Sequence, residues 1–141
     1  MARILVIDDQ ASVLATIKAI LEFLGHEAVT ATRADDGIKI LEVEAFDLLI
    51  VDIFMPEMDG IEAIHTVRHH QPSLPIVAMS GSSVVSHGVP TLDFLSMATK
   101  LGAVRGLRKP FTRAQLTDVV NACLDESGQR RDVPKRPADR R

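Results

Sequence analysis

The chain has no tryptophan, no tyrosine, five phenylalanines and a single cysteine in 141 residues. One cysteine, Cys123, excludes an intramolecular disulfide and any site built from several thiolates, in keeping with a reducing compartment. Long apolar runs are missing too. The opening Met-Ala-Arg-Ile-Leu-Val-Ile-Asp-Asp offers only Ile4–Ile7 before two carboxylates interrupt, far short of a signal peptide or a membrane span, so a cytoplasmic location is expected. Nor is there an excess of positive charge: 16 basic against 19 acidic residues give a formal net charge of −3, which argues against a whole-molecule footprint for nucleic acid. What is present is a 46% apolar, 25% charged composition, enough for one well-buried core and too short for two ordinary domains.

The charge is unevenly divided. Residues 127–141, SGQRRDVPKRPADRR, hold six Lys or Arg against two Asp and one large apolar residue, Val133. Such a segment buries too little to offset the entropy of ordering it, so residues 1–126 are read as the domain and 127–141 as a basic, disordered tail.

Within the domain, short apolar runs alternate with segments of helical period. Ile4–Ile7 is a strand, and Val13, Ile17, Ile20, Leu21 and Leu24 mark the first helix. The alternation continues with strand 28–32, helix 35–43, strand 47–51, helix 60–69, strand 76–79, a helix near Leu92–Leu101, strand 103–107 and helix 113–124. Thr112 followed three residues later by Gln115 is a capping box for the last helix. That helix turns Leu116, Val119, Val120 and Cys123 inward, which makes the cysteine a core residue. His65 and His69 share a helix but have no third ligand nearby and are placed on the solvent side. Five strands and five helices in strict alternation predict an α/β fold, a doubly wound parallel sheet covered on both faces. In such sheets ligands bind beyond the carboxyl ends of the strands, where the strand order reverses.

Those ends are polar. Asp8 and Asp9 follow the first strand, Asp52 the third, Ser80 the fourth, and Lys109 the fifth, beyond Arg108. Asp9 or Ser12 alone reads as a helix cap. Taken jointly, however, three carboxylates flanking a switch point repel one another until relieved by proton uptake or a cation. An unpaired Asp52 at the end of a central buried strand would also be costly. A hard divalent ion such as Mg²⁺, which takes carboxylate, water and phosphate oxygens, is the economical answer. Lys109 as a point charge and Ser80 as a donor suit the remaining phosphate oxygens.

The strings Val6-Ile7-Asp8-Asp9, Asp52-Ile-Phe-Met55-Pro56-Glu57-Met58-Asp59-Gly60, Ser80 and Lys109-Pro110-Phe111 occur in the order in which this chain resembles the receiver domain of two-component response regulators. The resemblance covers residues 2–125, including Leu24-Gly25-His26 and Gly102-Ala103. It implies a flavodoxin-like fold with five parallel strands in the order 2-1-3-4-5. Asp52 would be the phosphoryl acceptor. Asp9, Asp52 and the backbone carbonyl of Phe54 would bind Mg²⁺ directly, with Asp8 acting through water. Lys109 would pair with the phosphoryl group, Ser80 would move toward it, and Lys109-Pro110 would be a cis peptide. A histidine kinase or histidine phosphotransfer protein would donate the group, and an unidentified downstream protein, or a second copy in a homodimer, would read it. About 15 residues beyond the domain leave no room for a DNA-binding output domain, so a single-domain receiver is expected.

Two departures stand out. Gly106 occupies the place where the family usually carries an aromatic ring, and the stretch between Ser80 and Gly102, which holds the loop GSSVVSHGVPTLDF (81–94), is about seven residues longer than usual for such a family. Competing readings are a pseudo-receiver serving as a constitutive interaction module and a Mg²⁺-dependent phosphohydrolase working through an aspartyl phosphate. The second lacks an evident general acid, since Phe54 stands two residues past Asp52 and Gln10 follows the Asp8-Asp9 pair. The reading is thus a phosphoacceptor switch rather than a turnover enzyme, with at most slow self-dephosphorylation.

Overall fold

Unbroken apolar runs such as Leu48-Leu49-Ile50-Val51 have two faces to bury, and the three-and-four-spaced runs between them supply the covering layers. In a computed structural model, residues 1–53, 60–80, 85–86, 89–90 and 105–132 are described. The elements are β1 (Arg3–Ile7), α1 (Ala11–Phe23), β2 (Glu27–Ala31), α2 (Ala34–Val43), β3 (Leu48–Asp52), α3 (Gly60–His70), β4 (Ile76–Ser80), β5 (Val85–Ser86), β6 (Val89–Pro90), β7 (Arg105–Arg108) and α4 (Arg113–Asp132). A 13-residue helix such as α1 is about 20 Å long and a five-residue strand about 17 Å. Each helix therefore returns the chain to the edge where the next parallel strand begins.

The main sheet has the order β2-β1-β3-β4-β7, all neighbours parallel, which is the expected 2-1-3-4-5 arrangement. Leu5, Ile7, Leu49, Val51, Ile76 and Ala78 face one layer, where Leu41 of α2 and Ala63, Ile64 and Val67 of α3 cover them. Ile4, Val6, Leu48, Ile50, Val77, Met79 and Leu107 face the other, under Leu14, Ile17 and Leu21 of α1 and Leu116, Val120 and Cys123 of α4. Cys123 is thus a core residue. His65 and His69 lie exposed on α3, as the period requires.

Local signals set several boundaries. Gly25, at φ +92°, ends α1 by donating its N–H to the Glu22 carbonyl while the His26 N–H reaches the Leu21 carbonyl, a closure that needs a left-handed residue. At α4 the capping box forms in both directions: the Gln115 N–H donates to Thr112 Oγ1 at 3.0 Å, and the Thr112 N–H to Gln115 Oε1 at 2.9 Å. Gly37 lets α2 lie close on β1, since a Cβ there would stand 2.7 Å from Ile7 Cγ1. At the far end of the sheet the Arg3 guanidinium bridges Glu27 (3.1 Å) and Glu44 (2.6 Å) and covers the Phe46 ring, clipping β1, β2 and the segment after α2 together.

Three expectations are revised. The segment after β4, read as a loop, contains a two-stranded antiparallel ladder, β5 against β6. Asp52 is the last residue of β3, paired with Met79, rather than the first residue beyond it. Helix α4 runs to Asp132, not Leu124, so residues 127–132, assigned by composition to the tail, have helical backbone. Once a helix is nucleated, Gln129, Arg130 and Arg131 extend it at little cost, and composition alone does not register that cooperativity. The helix expected near Leu92–Leu101 lies outside the described residues. Among the described residues, no helix is long and apolar enough to cross a membrane.

Candidate functional site: an acidic pocket at the carboxyl end of the sheet

Because β1 and β3 are neighbours with Ile7 opposite Val51, the residues that follow, Asp8 and Asp52, come to lie side by side. The Asp8 N–H extends the ladder by donating to the Ala31 carbonyl, and Asp8 Oδ1 accepts the Gln10 N–H at 2.9 Å. That local bond turns the chain into α1. The helix starts after Gln10 with no side-chain cap, so neither Asp9 nor Ser12 serves as one. Asp8, Asp9 and Asp52 each present a carboxylate oxygen, all within 4.8 Å of one another; Asp8 and Asp52 are buried and Asp9 is exposed.

Lys109 enters from β7. Its N–H donates to the Ser80 carbonyl at 2.8 Å, and the Lys109-Pro110 peptide is cis, as expected. The ammonium lies 2.6 Å from Asp8 Oδ2 and 3.2 Å from Asp52 Oδ2. Burial disfavours its charge, but the hydrogen bond to Asp8 and the fields of Asp52 and Asp8 outweigh that penalty. The Lys109 pKa is raised above the ordinary lysine value. Lys109 is therefore a fixed cation, and its closest partner is Asp8, an ion pair that the strand-end pattern did not indicate.

Ser80 ends β4 one position past the Met79–Asp52 rung. Its hydroxyl is fully buried and has no hydrogen-bond partner among the described residues. Such a group costs about 1–3 kcal/mol until an acceptor reaches it. Gly106 is exposed, opposite Ala78, with nothing larger than hydrogen where a ring was expected. Phe54 lies outside the described residues, as do residues 81–84 and 91–94 of the long segment.

Three carboxylates and one ammonium leave this cluster at −2. Its oxygen-only donor set fits a hard divalent ion such as Mg²⁺, with the exposed Asp9 side open to waters. The arrangement combines a buried acidic oxygen, a fixed cation and a buried hydroxyl donor, which suits binding and transfer of a phosphoryl group.

The chain matches the family model described as response regulator receiver domain over residues 4–121. It is 30% identical over 125 residues to the alkaline phosphatase synthesis transcriptional regulatory protein PhoP of Bacillus subtilis, covering 89% of this chain and 49% of that protein. It is 34% identical over 125 residues to response regulator MprA of Mycobacterium ulcerans, covering 50% of it. The chain thus spans about half the length of these relatives. Among solved structures, a response regulator receiver domain protein from Clostridium thermocellum superposes with a TM-score of 0.80 at 30% identity, covering 91% of this chain and 98% of that one. A CheY-like receiver domain protein from Methanospirillum hungatei superposes at 0.82 with 28% identity, covering 92% and 98%.

Proposed function

The chain belongs to the response regulator receiver domain family, whose members are phosphorylation-dependent signalling switches, and on that premise we propose that Asp52 is the phosphoryl acceptor. A carboxylate oxygen of Asp52 attacks the phosphorus of a phospho-histidine on a histidine kinase or histidine phosphotransfer protein. The new O–P bond forms as the P–N bond breaks, and the imidazole leaves neutral, the bonding pair staying on the released nitrogen and the proton already on its other ring nitrogen. Asp9 and Asp52, with the Phe54 carbonyl that the family resemblance implies, would hold Mg²⁺, Asp8 acting through water, and the ion would supply charge neutralisation for this transfer. Lys109, kept protonated by Asp8, exchanges its Asp52 contact for a phosphoryl oxygen. The buried Ser80 hydroxyl gains the acceptor it lacks by donating to another.

The observation that carries the reading is the Lys109 ammonium bonded between Asp8 and Asp52 in a three-carboxylate cluster. Output runs through altered contacts with a downstream protein or a second copy of the chain, in the cytoplasm. Self-dephosphorylation is at most slow on this reading, since apolar Phe54, two residues past Asp52, offers no general acid or base. The test is intact-protein mass after incubation with a small phosphodonor and Mg²⁺. One added phosphoryl group that requires both Mg²⁺ and Asp52, being absent in Asp52→Ala, is expected. If neither a small donor nor a cognate phospho-histidine protein adds mass, the acceptor reading fails and a constitutive interaction module replaces it.

A further inference from the structure

Several cationic side chains flank the strand ends, and all but one of those described here are engaged. Lys109 is held between two carboxylates. Arg33, just before α2, is paired with Asp35 at 3.2 Å and with Asp36. Arg113 lies over the Phe23 ring at 5.6 Å. Arg108 differs: it is exposed and makes no ion pair or hydrogen bond with the described residues, yet it ends β7 directly opposite Ser80 and immediately before Lys109. Its backbone stands one rung from Ser80 of the acidic site, and its exposed guanidinium is uncommitted among the described residues.

We infer that Arg108 steers anionic phosphodonors into the pocket, a role that rests on the acceptor reading above. The cluster's own residues sum to −2, so an approaching phosphate anion meets repulsion. A bound divalent ion cancels that charge at close range but supplies no surplus to draw the donor from a distance. An exposed guanidinium one rung from the site does so, and because its stem is solvated its effect acts on the rate of encounter rather than on the transfer step. For a unit charge facing a dianion at about 8 Å in a water-like dielectric, the gain is roughly fivefold without screening, about threefold at a screening length of about 20 Å, and nearly vanishes once that length falls below the separation.

The experiment compares wild type with Arg108→Gln and Arg108→Glu at saturating Mg²⁺. Intact mass follows the second-order rate of phosphorylation by a dianionic acyl phosphate and by monoanionic phosphoramidate. Each is measured at about 20 mM and about 500 mM salt, where the screening length is roughly 20 Å and 4 Å. Arg108→Gln should slow the acyl phosphate reaction about threefold at low salt and the phosphoramidate reaction about twofold, with both losses nearly disappearing at high salt. Arg108→Glu should be slower again. A merely structural role would give losses independent of donor charge and salt, and that result overturns the inference. So does an Arg108→Gln rate equal to wild type at low salt while wild type itself is phosphorylated on Asp52. A wild type that takes up no phosphoryl group overturns the acceptor reading, and this inference with it.

Discussion

Lys109→Met removes one charge while keeping a side chain of similar length. It leaves the Asp8 carboxylate, 0% exposed, and that of Asp52, 6% exposed, facing each other with no cation. At an effective dielectric of 20, the contacts at 2.6 and 3.2 Å correspond to gross attractions of about 6 and 5 kcal/mol, most of it offset by the desolvation already incurred. Removing one partner of a buried pair typically costs about 3–5 kcal/mol, because the remaining charge stays buried. That is a large share of the roughly 5–15 kcal/mol available to a domain, and it should lower Tm by about 10 °C or more. Urea titration followed by helical circular dichroism is the assay, since a chain without Trp or Tyr has little useful intrinsic fluorescence. Bound Mg²⁺ would replace the lost counter-charge, so it should stabilise Lys109→Met more than wild type. A ligand at a hundred times its Kd contributes about 2.7 kcal/mol. The pH dependence has a definite sign. A folded pKa raised above lysine's 10.5 means that the stabilisation is complete below that value and lost as pH rises through the folded pKa, a loss absent from the variant. A cost under about 1 kcal/mol without Mg²⁺, or equal Mg²⁺ effects in both proteins, would refute the view that these carboxylates depend on a cation.

Gly37→Ala drives a methyl into the fully buried Ile7 side chain and should cost about 1–3 kcal/mol in the same urea assay, without altering phosphoryl uptake per folded molecule. His26 accepts the Ala2 N–H on Nδ1 at 3.1 Å, and its pKa is lowered by burial and then by the amino terminus, against the opposing field of Asp47. Its neutral form therefore stabilises the fold above pH 6.5, and that contribution is lost as pH falls through the lower folded value. His26→Gln should flatten stability across that acidic window; an unchanged profile would show that the bond does not matter.

What the sequence determined by itself is what local physics controls. Apolar period and burial on both faces specify a parallel sheet, and Thr112 with Gln115 specifies a helix start, because the interacting groups lie within four residues. The polar strand ends were legible for a related reason: charge closing a buried strand is costly unless used, so Asp8, Asp9, Asp52, Ser80 and Lys109 stand out without knowledge of their neighbours. Where propagation rather than local preference decides, as at the end of α4, composition set the boundary six residues too early. The strand order came through the family resemblance rather than from any local pattern, and the tertiary structure alone decided the register that brings Asp8 and Asp52 together across more than forty residues of chain. It also decided that Lys109 bonds Asp8 more closely than Asp52, that Gly37 is pressed against Ile7, and that Arg108, opposite Ser80, has no partner among the described residues. These are outcomes of strand order, register and side-chain rotamer, set by packing between distant segments, and no local pattern in the chain encodes them.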